Sequence, residues 1–406
     1  MSASHAELFD PERSANFVEI LENIRKTDPI FYFEREEFSA WVVTRHQHVA
    51  TLLRDRRLIV PALGTRIAGF SGEQKSALEP MQEFIRVNLG RTRERRLDLR
   101  RATVGLFKPA AMQPLRGRVT DIVEQLLSAV DVHAPVDLVA AFSYPMPAMV
   151  MAELIGAPYA DARKFIDWSN SLILFHRSYT FEGMLEAQKG VVEMLDYLAV
   201  LIEAKRGQGR DTKDLIGEFA VALDEGRFEM GELAASCATF LMAGHENTSH
   251  LIGNILNTLF LNPTQFDKVK ADLSLLPNAI RETLRYNGVV PFLTREIAES
   301  FEFEGRRFEK GQMVSLSVFS ANRDEEAFDD VNDFDISNKS ARHHLGFGHG
   351  MNQCRGSHLG LMESEELLKL LLTRFPKMTT VDGGMETLCQ PMLRRYITRF
   401  DVMLNP

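Results

Sequence analysis

Apolar positions recur three and four residues apart along most of this chain and alternate in only a few places. Phe17, Ile20, Leu21 and Ile24 mark one face of a helix over 16–26, which Pro29 stops. Residues 30–44 read as two short strands around a turn at Glu34-Arg35-Glu36-Glu37. The helical period returns over 46–56 through Val49, Leu52 and Leu53. Pro61, Gly64, Gly69, Gly72 and Pro80 make 58–89 a long irregular connection with at most one short helix. Such connections in compact domains are often functional. A helix dense in arginine is predicted over 91–107, buried helices over 135–156 and 160–175, and an amphipathic helix over 181–206.

The strongest helix spans 232–261, apolar nearly all round, and stops at Asn262-Pro263. At roughly 1.5 Å per residue it is about 45 Å long and belongs in a core. A helix over 273–286 follows, then short strands over 292–317 broken at Gly305 and Gly311. A glycine-rich loop over 337–354, a helix over 355–375 and short strands over 378–404 complete the chain. The predicted class is mainly α with a minor antiparallel β part. No internal repeat or low-complexity linker divides it, so one unit over 1–406 is expected.

Composition narrows the functional classes. With 406 residues, 45% hydrophobic and 25% charged, the chain is an ordinary globular protein. Its 47 basic and 56 acidic residues leave a net charge of -9, which disfavours nucleic acid. Three scattered cysteines, Cys237, Cys354 and Cys389, make no disulfide framework and point to a reducing, cytoplasmic setting. Residues 1–10 carry Glu7 and Asp10 without an apolar run, so neither signal peptide nor membrane anchor is expected.

Three features carry candidate chemistry. His344-Leu345-Gly346-Phe347-Gly348-His349-Gly350-Met351-Asn352-Gln353-Cys354-Arg355-Gly356 places a single cysteine just before a helix, after three glycines in five positions. A helix N-terminus stabilises a thiolate, and glycines let backbone pass close to a flat group, which suits a metal or cofactor ligand. The competing reading is a free cysteine buried beside a tight loop. Second, Ala243-Gly244-His245-Glu246-Asn247-Thr248 interrupts the apolar helix with groups that are costly to bury, as at a kink where a ligand approaches. A polar helix crossing is the alternative. Third, Glu282 and Arg285 lie three apart and can pair. The spacing of His245, His343, His344, His349 and His358 fits no usual zinc set.

In this order the motifs resemble the soluble bacterial cytochromes P450, over nearly the full length. Phe347-Gly348-x-Gly350-x-x-x-Cys354-x-Gly356 is similar to that family's haem-ligand loop. Ala243-Gly244-x-Glu246 resembles its distal helix, and Glu282-x-x-Arg285 its structural ion pair. Pro291-Phe292-Leu293-Thr294-Arg295 and Ala321-Asn322-Arg323-Asp324 also sit where the family has such segments. The resemblance implies haem b with Cys354 as the thiolate ligand, Phe347 near the sulfur, and Gly348, Gly350 and Gly356 allowing close approach. It implies propionate contacts from Arg96, Arg100, Arg295 and Asn352, with Ala243 and Gly244 facing the haem. Outward arginines of 91–101 are either a docking patch for an acidic ferredoxin or a solvated face.

The implied activity is an oxidoreductase, a monooxygenase hydroxylating an apolar or aromatic small molecule, in specialised metabolism. Electrons would come from a ferredoxin and its NAD(P)H-dependent reductase, because no reductase domain is seen in the chain. The substrate could be carrier-bound. The implied pocket is lined by Phe84, Ile85, Phe175, Phe240, Val290, Phe292, Leu293 and Met392. Three positions depart from the family. Asn247 stands where a threonine usually relays protons, leaving Glu246 or water held by Asn247 and Thr248 for that role. Asn352 replaces a cation, and Asp333 stands where an arginine usually precedes Phe334-Asp335 and so could pair with Arg285. The first departure motivates a peroxide-driven or oxidative-coupling alternative. A non-catalytic binding module of the same fold is the further rival.

Overall fold

The computed structural model describes residues 8, 16–34, 39–61, 69–88, 92–178, 180–208, 214–390 and 394–405. Its helices, in order, are α1 (Phe17–Thr27), α2 (His46–Arg54), α3 (Gly72–Ala77), α4 (Glu79–Asn88), α5 (Arg93–Thr103), α6 (Pro109–Ser128), α7 (Pro145–Ile155), α8 (Ala162–Arg177), α9 (Phe181–Ala204), α10 (Leu215–Asp224), α11 (Met230–Leu261), α12 (Pro263–Ala271), α13 (Leu276–Tyr286), α14 (Val318–Ala321) and α15 (Ser357–Arg374). The strands are β1 (Ile30–Glu34), β2 (Ser39–Val43), β3 (Leu58–Ile59), β4 (Val136–Asp137), β5 (Phe292–Ile297), β6 (Phe301–Phe303), β7 (Arg306–Phe308), β8 (Met313–Ser317), β9 (Thr379–Gln390) and β10 (Arg394–Met403).

Helix α11 runs unbroken for 32 residues. A reciprocal capping box of Glu229 and Glu232 starts it, and Asn262 before Pro263 ends it. Nearly every residue from Leu233 to Leu259 is buried apart from a stretch around 239–247, so the helix is the axis of the main core. The helix continues through Gly244, where a β-carbon would come within 2.3 Å of Met151 Sδ, so the glycine lets α7 pack close.

Helices α6, α10 and α12 were not anticipated. Their starts are locally encoded: Pro109 and Pro263 at first-turn positions, and Asp214 accepting from Gly217 N. The predicted helix over 135–156 is instead β4, a π-helical turn over Val139–Ser143 and α7, because Pro145 cannot continue the hydrogen-bond ladder. The irregular 58–89 connection holds two helices, α3 and α4.

The larger sheet has the order β1-β2-β8-β5-β3. Its β2–β8 pairing is parallel, with Val42 opposite Ser315, and the rest is antiparallel. A second sheet, β4-β10-β9, pairs two strands longer than anticipated and packs β10 against α11. An apolar cluster of Phe17, Phe31, Phe33, Phe292 and Phe319 joins the N-terminal segment to β5 and α14. Among the described residues no helix is long and apolar enough to cross a membrane.

Candidate active site

A cavity of about 500 Å³ opens between α11, α5, β5 and the loop leading into α15. Cys354 lines it, and its backbone N–H donates to Phe347 O at 2.8 Å, closing the loop back on itself. Gly348 also lines it and holds φ +69, a left-handed conformation that favours glycine. Phe347, Asn352 and Gly356 are in the lining as anticipated. Gly350 is not. Its φ is +71, and a β-carbon there would meet Arg54 and the Leu53 carbonyl, so its close approach is to α2. The Cys354 side chain is exposed and lines this cavity, and burial pushes its thiol up, opposed by the Gly356 N–H.

The loop is fixed from behind. Glu282 and Arg285 of α13 are fully buried and paired at 2.6 Å. Arg285 also donates to the carbonyls of Asn322, Val331 and Asp333, so Asp333 contributes its backbone rather than the anticipated carboxylate. Asn322 accepts from Leu345 N at 2.7 Å and donates to Leu284 O, tying α13 to the start of the cysteine loop.

The charge in the cavity is one-sided. Arg100, Arg295 and Arg355 line it, and among the described residues no carboxylate does. Arg295 lies on β5 and is 8% exposed. Among the described residues its one hydrogen bond is to Thr294 O, and burial pulls its pKa down. Arg100 donates to Met351 O, and Arg355 to Thr103 Oγ1. Burial and neighbouring Arg100 bring Arg355 down to about 10. Arg96 lies outside this cavity, in an adjoining cleft of about 150 Å³ that shares Arg100, Asn352 and Arg355. Sequence reasoning missed Arg355: it follows the cysteine directly, but only the fold shows its side chain turning inward.

The opposite wall is α11. Ala243, Gly244, Asn247 and Thr248 line the cavity, and Asn247 Oδ1 is buried without a hydrogen bond among the described residues. Glu246 does not line it. It is 3% exposed on the other side of the helix, 3.8 Å from His250 Nε2. Phe240, Val290 and Leu293 lie in the lining as anticipated, joined by Phe107, Val289 and Leu251. Phe84, Ile85 and Phe175 do not. They are buried in the main core, where Phe84 and Phe175 meet edge to face at 6.3 Å. Phe292 points away into the cluster with Phe17, because its neighbours on β5 alternate sides. Met392 lies outside the described residues.

The family model for cytochrome P450 matches residues 7–391. The chain belongs to the cytochrome P450 family. This P450 is 34% identical to cytochrome P450 107B1 of Saccharopolyspora erythraea over 83% of its own length and 82% of that protein. It is 33% identical to the vitamin D3 dihydroxylase of Streptomyces griseolus over 83% and 80%. Its fold matches the crystal structure of P450BioI in complex with hexadec-9Z-enoic acid-ligated acyl carrier protein. That match has a TM-score of 0.84 at 25% identity and covers 96% of this chain and 99% of that one. The P450 is therefore a monooxygenase of the haem-using family.

The cavity of this P450 suits haem b on its own terms. Among the described residues three arginines and no carboxylate line it, which calls for an anionic guest, and haem carries two propionates. Cys354 supplies a soft donor on one face, and Gly348 and Gly356 keep bulk off that face. Ala243, Gly244, Asn247 and Thr248 border the other.

Proposed function

We propose that this P450 hydroxylates an apolar or aromatic small molecule, with Cys354 as the ligand of haem b. One observation carries the reading: Cys354 faces a helix wall across a space whose lining, among the described residues, has three cations and no anion. Arg100, Arg295 and Arg355 would hold the propionates, with Asn352 donating a neutral hydrogen bond. When bound, the haem-thiolate supplies oxygen activation with O–O cleavage favoured by thiolate donation. The chain's own residues do the rest. Phe107, Phe240, Val289, Val290 and Leu293 exclude water and select apolar surface. Asn247 offers a fixed amide donor at the cavity wall, and Thr248 a hydroxyl.

Two electrons would come from a ferredoxin and its NAD(P)H-dependent reductase. Arg95 is committed to Glu232 and to the Arg227 carbonyl, and Arg101 to Asp98, so any docking patch is narrower than the arginine count suggests. A carrier-bound substrate is in keeping with the P450BioI complex, and specialised metabolism and a cytoplasmic setting with the bacterial relatives. We read the whole of 1–406 as one haem-thiolate unit.

The test is the carbon monoxide spectrum of the reduced protein. A strongly red-shifted Soret band is expected, and Cys354→Ser should abolish it while leaving the protein folded. A band that survives the substitution would remove Cys354 from the iron. Peroxide use or oxidative coupling is the second reading, favoured by the unpartnered Asn247 Oδ1 in place of a hydroxyl. Asn247→Thr is expected to lower peroxide release per electron pair several-fold. Unchanged release would take position 247 out of proton management.

A further inference from the structure

We infer that His250 is a positioning and proton-transfer residue that serves Glu246 from a second, polar cavity on the back of α11. This rests on the haem-thiolate monooxygenase reading.

The back cavity measures about 210 Å³. At about 30 Å³ per water it has room for several. Glu246 and His250 line it, and Tyr144, Asn170, Ser249, Tyr396 and Thr398 supply its other polar groups. No residue is common to this cavity and the one bordered by Cys354. Glu246 and Asn247 are adjacent in sequence yet face opposite cavities, so the step from one to the other is a single helix wall.

The geometry of His250 is specific. It lies one turn after Glu246, with Nε2 3.8 Å from the carboxylate. Its ring lies flat on Tyr396 of β10, with centroids 3.7 Å apart and planes at 11°. That stacking fixes the ring plane and leaves the nitrogen edge for the carboxylate and the cavity. A buried carboxylate is costly unless a cation or donor accompanies it. His245, the other histidine beside Glu246, is already committed. Its Nε2 meets the Tyr144 carbonyl at 3.0 Å, its Nδ1 meets Ser169 Oγ at 3.1 Å, and burial brings it down to about 4. Among the described residues, the titratable groups facing His250 include Glu246 and His245 on its own helix, Tyr396 from β10, and Tyr144 before α7.

Hydroxylation consumes two protons: RH + O2 + 2e− + 2H+ gives ROH + H2O, with both electrons from the electron-donor protein. In each transfer one proton passes from His250 Nε2 to a Glu246 carboxylate oxygen, cavity water re-protonates the imidazole, and no electron moves. Glu246 then turns its carboxyl across the helix wall, gives the proton to water held at the Thr248 hydroxyl on the Cys354 side, and returns as the carboxylate that His250 recharges.

The experiment uses the holoenzyme. Its reduced carbon monoxide band establishes the haem-thiolate reading independently of His250. On that diamagnetic sample, 15N-histidine NMR reads the His250 imidazole pKa in the unaltered protein and in Glu246→Gln. A fall of at least about one pH unit is expected, and an unchanged value would overturn the pairing. Oxygen consumption with a surrogate ferredoxin and reductase is then compared in H2O and D2O. His250→Asn is expected to slow it about tenfold and enlarge the solvent isotope effect, at an unchanged carbon monoxide band. Should that variant fail to fold, His250→Gln takes its place. Unaltered rate and isotope effect in the folded variant would overturn the transfer role.

Discussion

Glu363 shows what a buried residue costs when nothing meets it. It lies on α15 at 0% exposure, and among the described residues neither carboxylate oxygen has a hydrogen bond. Burial pushes its carboxyl well above the ordinary value, which favours the protonated form in the fold. The unfolded chain ionises this group near its ordinary value, about 4.3. Above that pH the folded state binds the extra proton, so stability falls as pH rises, by up to about 1.4 kcal/mol per unit. Glu363→Gln removes this slope. Denaturant unfolding at pH 5 and pH 8 should therefore show the variant gaining on the unaltered protein at the higher pH. A constant difference would mean that the carboxyl ionises in the fold. None of this was legible in the sequence, where Glu363 is one polar residue on an amphipathic helix. The place of Cys354 in the cavity was legible through the resemblance of its whole loop, since the glycine spacing alone left a buried free cysteine equally open. Phe84, Phe175 and Phe292 misled, since an aromatic that lines a pocket and one that fills a core look the same until the packing is known.

At the scale of elements, α13 matters for what its arginine reaches. Arg285 makes five hydrogen bonds, two to Glu282 and three to the carbonyls of Asn322, Val331 and Asp333. A guanidinium has five N–H donors, so all are used. Lysine offers three donors without the fork. Arg285→Lys should destabilise the fold by about 3–5 kcal/mol, the range for breaking a buried pair. Thermal unfolding followed through the Soret band checks it, with cofactor release preceding loss of helix. A variant as stable as the original would show that the pair is dispensable. The Glu-x-x-Arg spacing announced the pair. Its three carbonyl partners, 37 to 48 residues away, were invisible to any local reading. Long periodic elements such as α9 and α11 were readable for the opposite reason, since their burial is written as local spacing. Helices α10 and α12 are short and were lost among connecting residues.

For the whole molecule, acid is the expected weak point. His245 is fully buried and His344 partly so, and desolvation holds both near pKa 4. In the unfolded chain histidine titrates near 6.5. Below that pH the unfolded state binds more protons, so stability is lost as pH falls from about 6.5 towards 4. For His245 the loss is on the order of 3 kcal/mol. Unfolding curves between pH 7 and 4 should show a drop that His245→Gln reduces. A drop unchanged by the substitution would assign it to other groups. Overall architecture was legible as class and order, mainly helical with a minor sheet. Sheet order was not, since it depends on which distant strands meet.

That sheet order carries a consequence for how the protein is made. Strand β2 pairs with β8, so residues 40–43 wait for residues 313–316. Arg25 likewise finds Ser320 and Glu325, and Phe17 finds Phe319. At bacterial rates of roughly 5–20 residues per second, the ribosome needs tens of seconds to supply those partners. Throughout that interval Phe17, Phe31 and Phe33 have Ile20, Leu21, Ile24 and Val42 of their cluster but lack Phe292 and Phe319, and the β1–β2 hairpin presents an open edge. The N-terminal fifty residues are thus synthesised first and completed almost last, and a nascent chain stalled before residue 313 carries its stickiest segment uncovered.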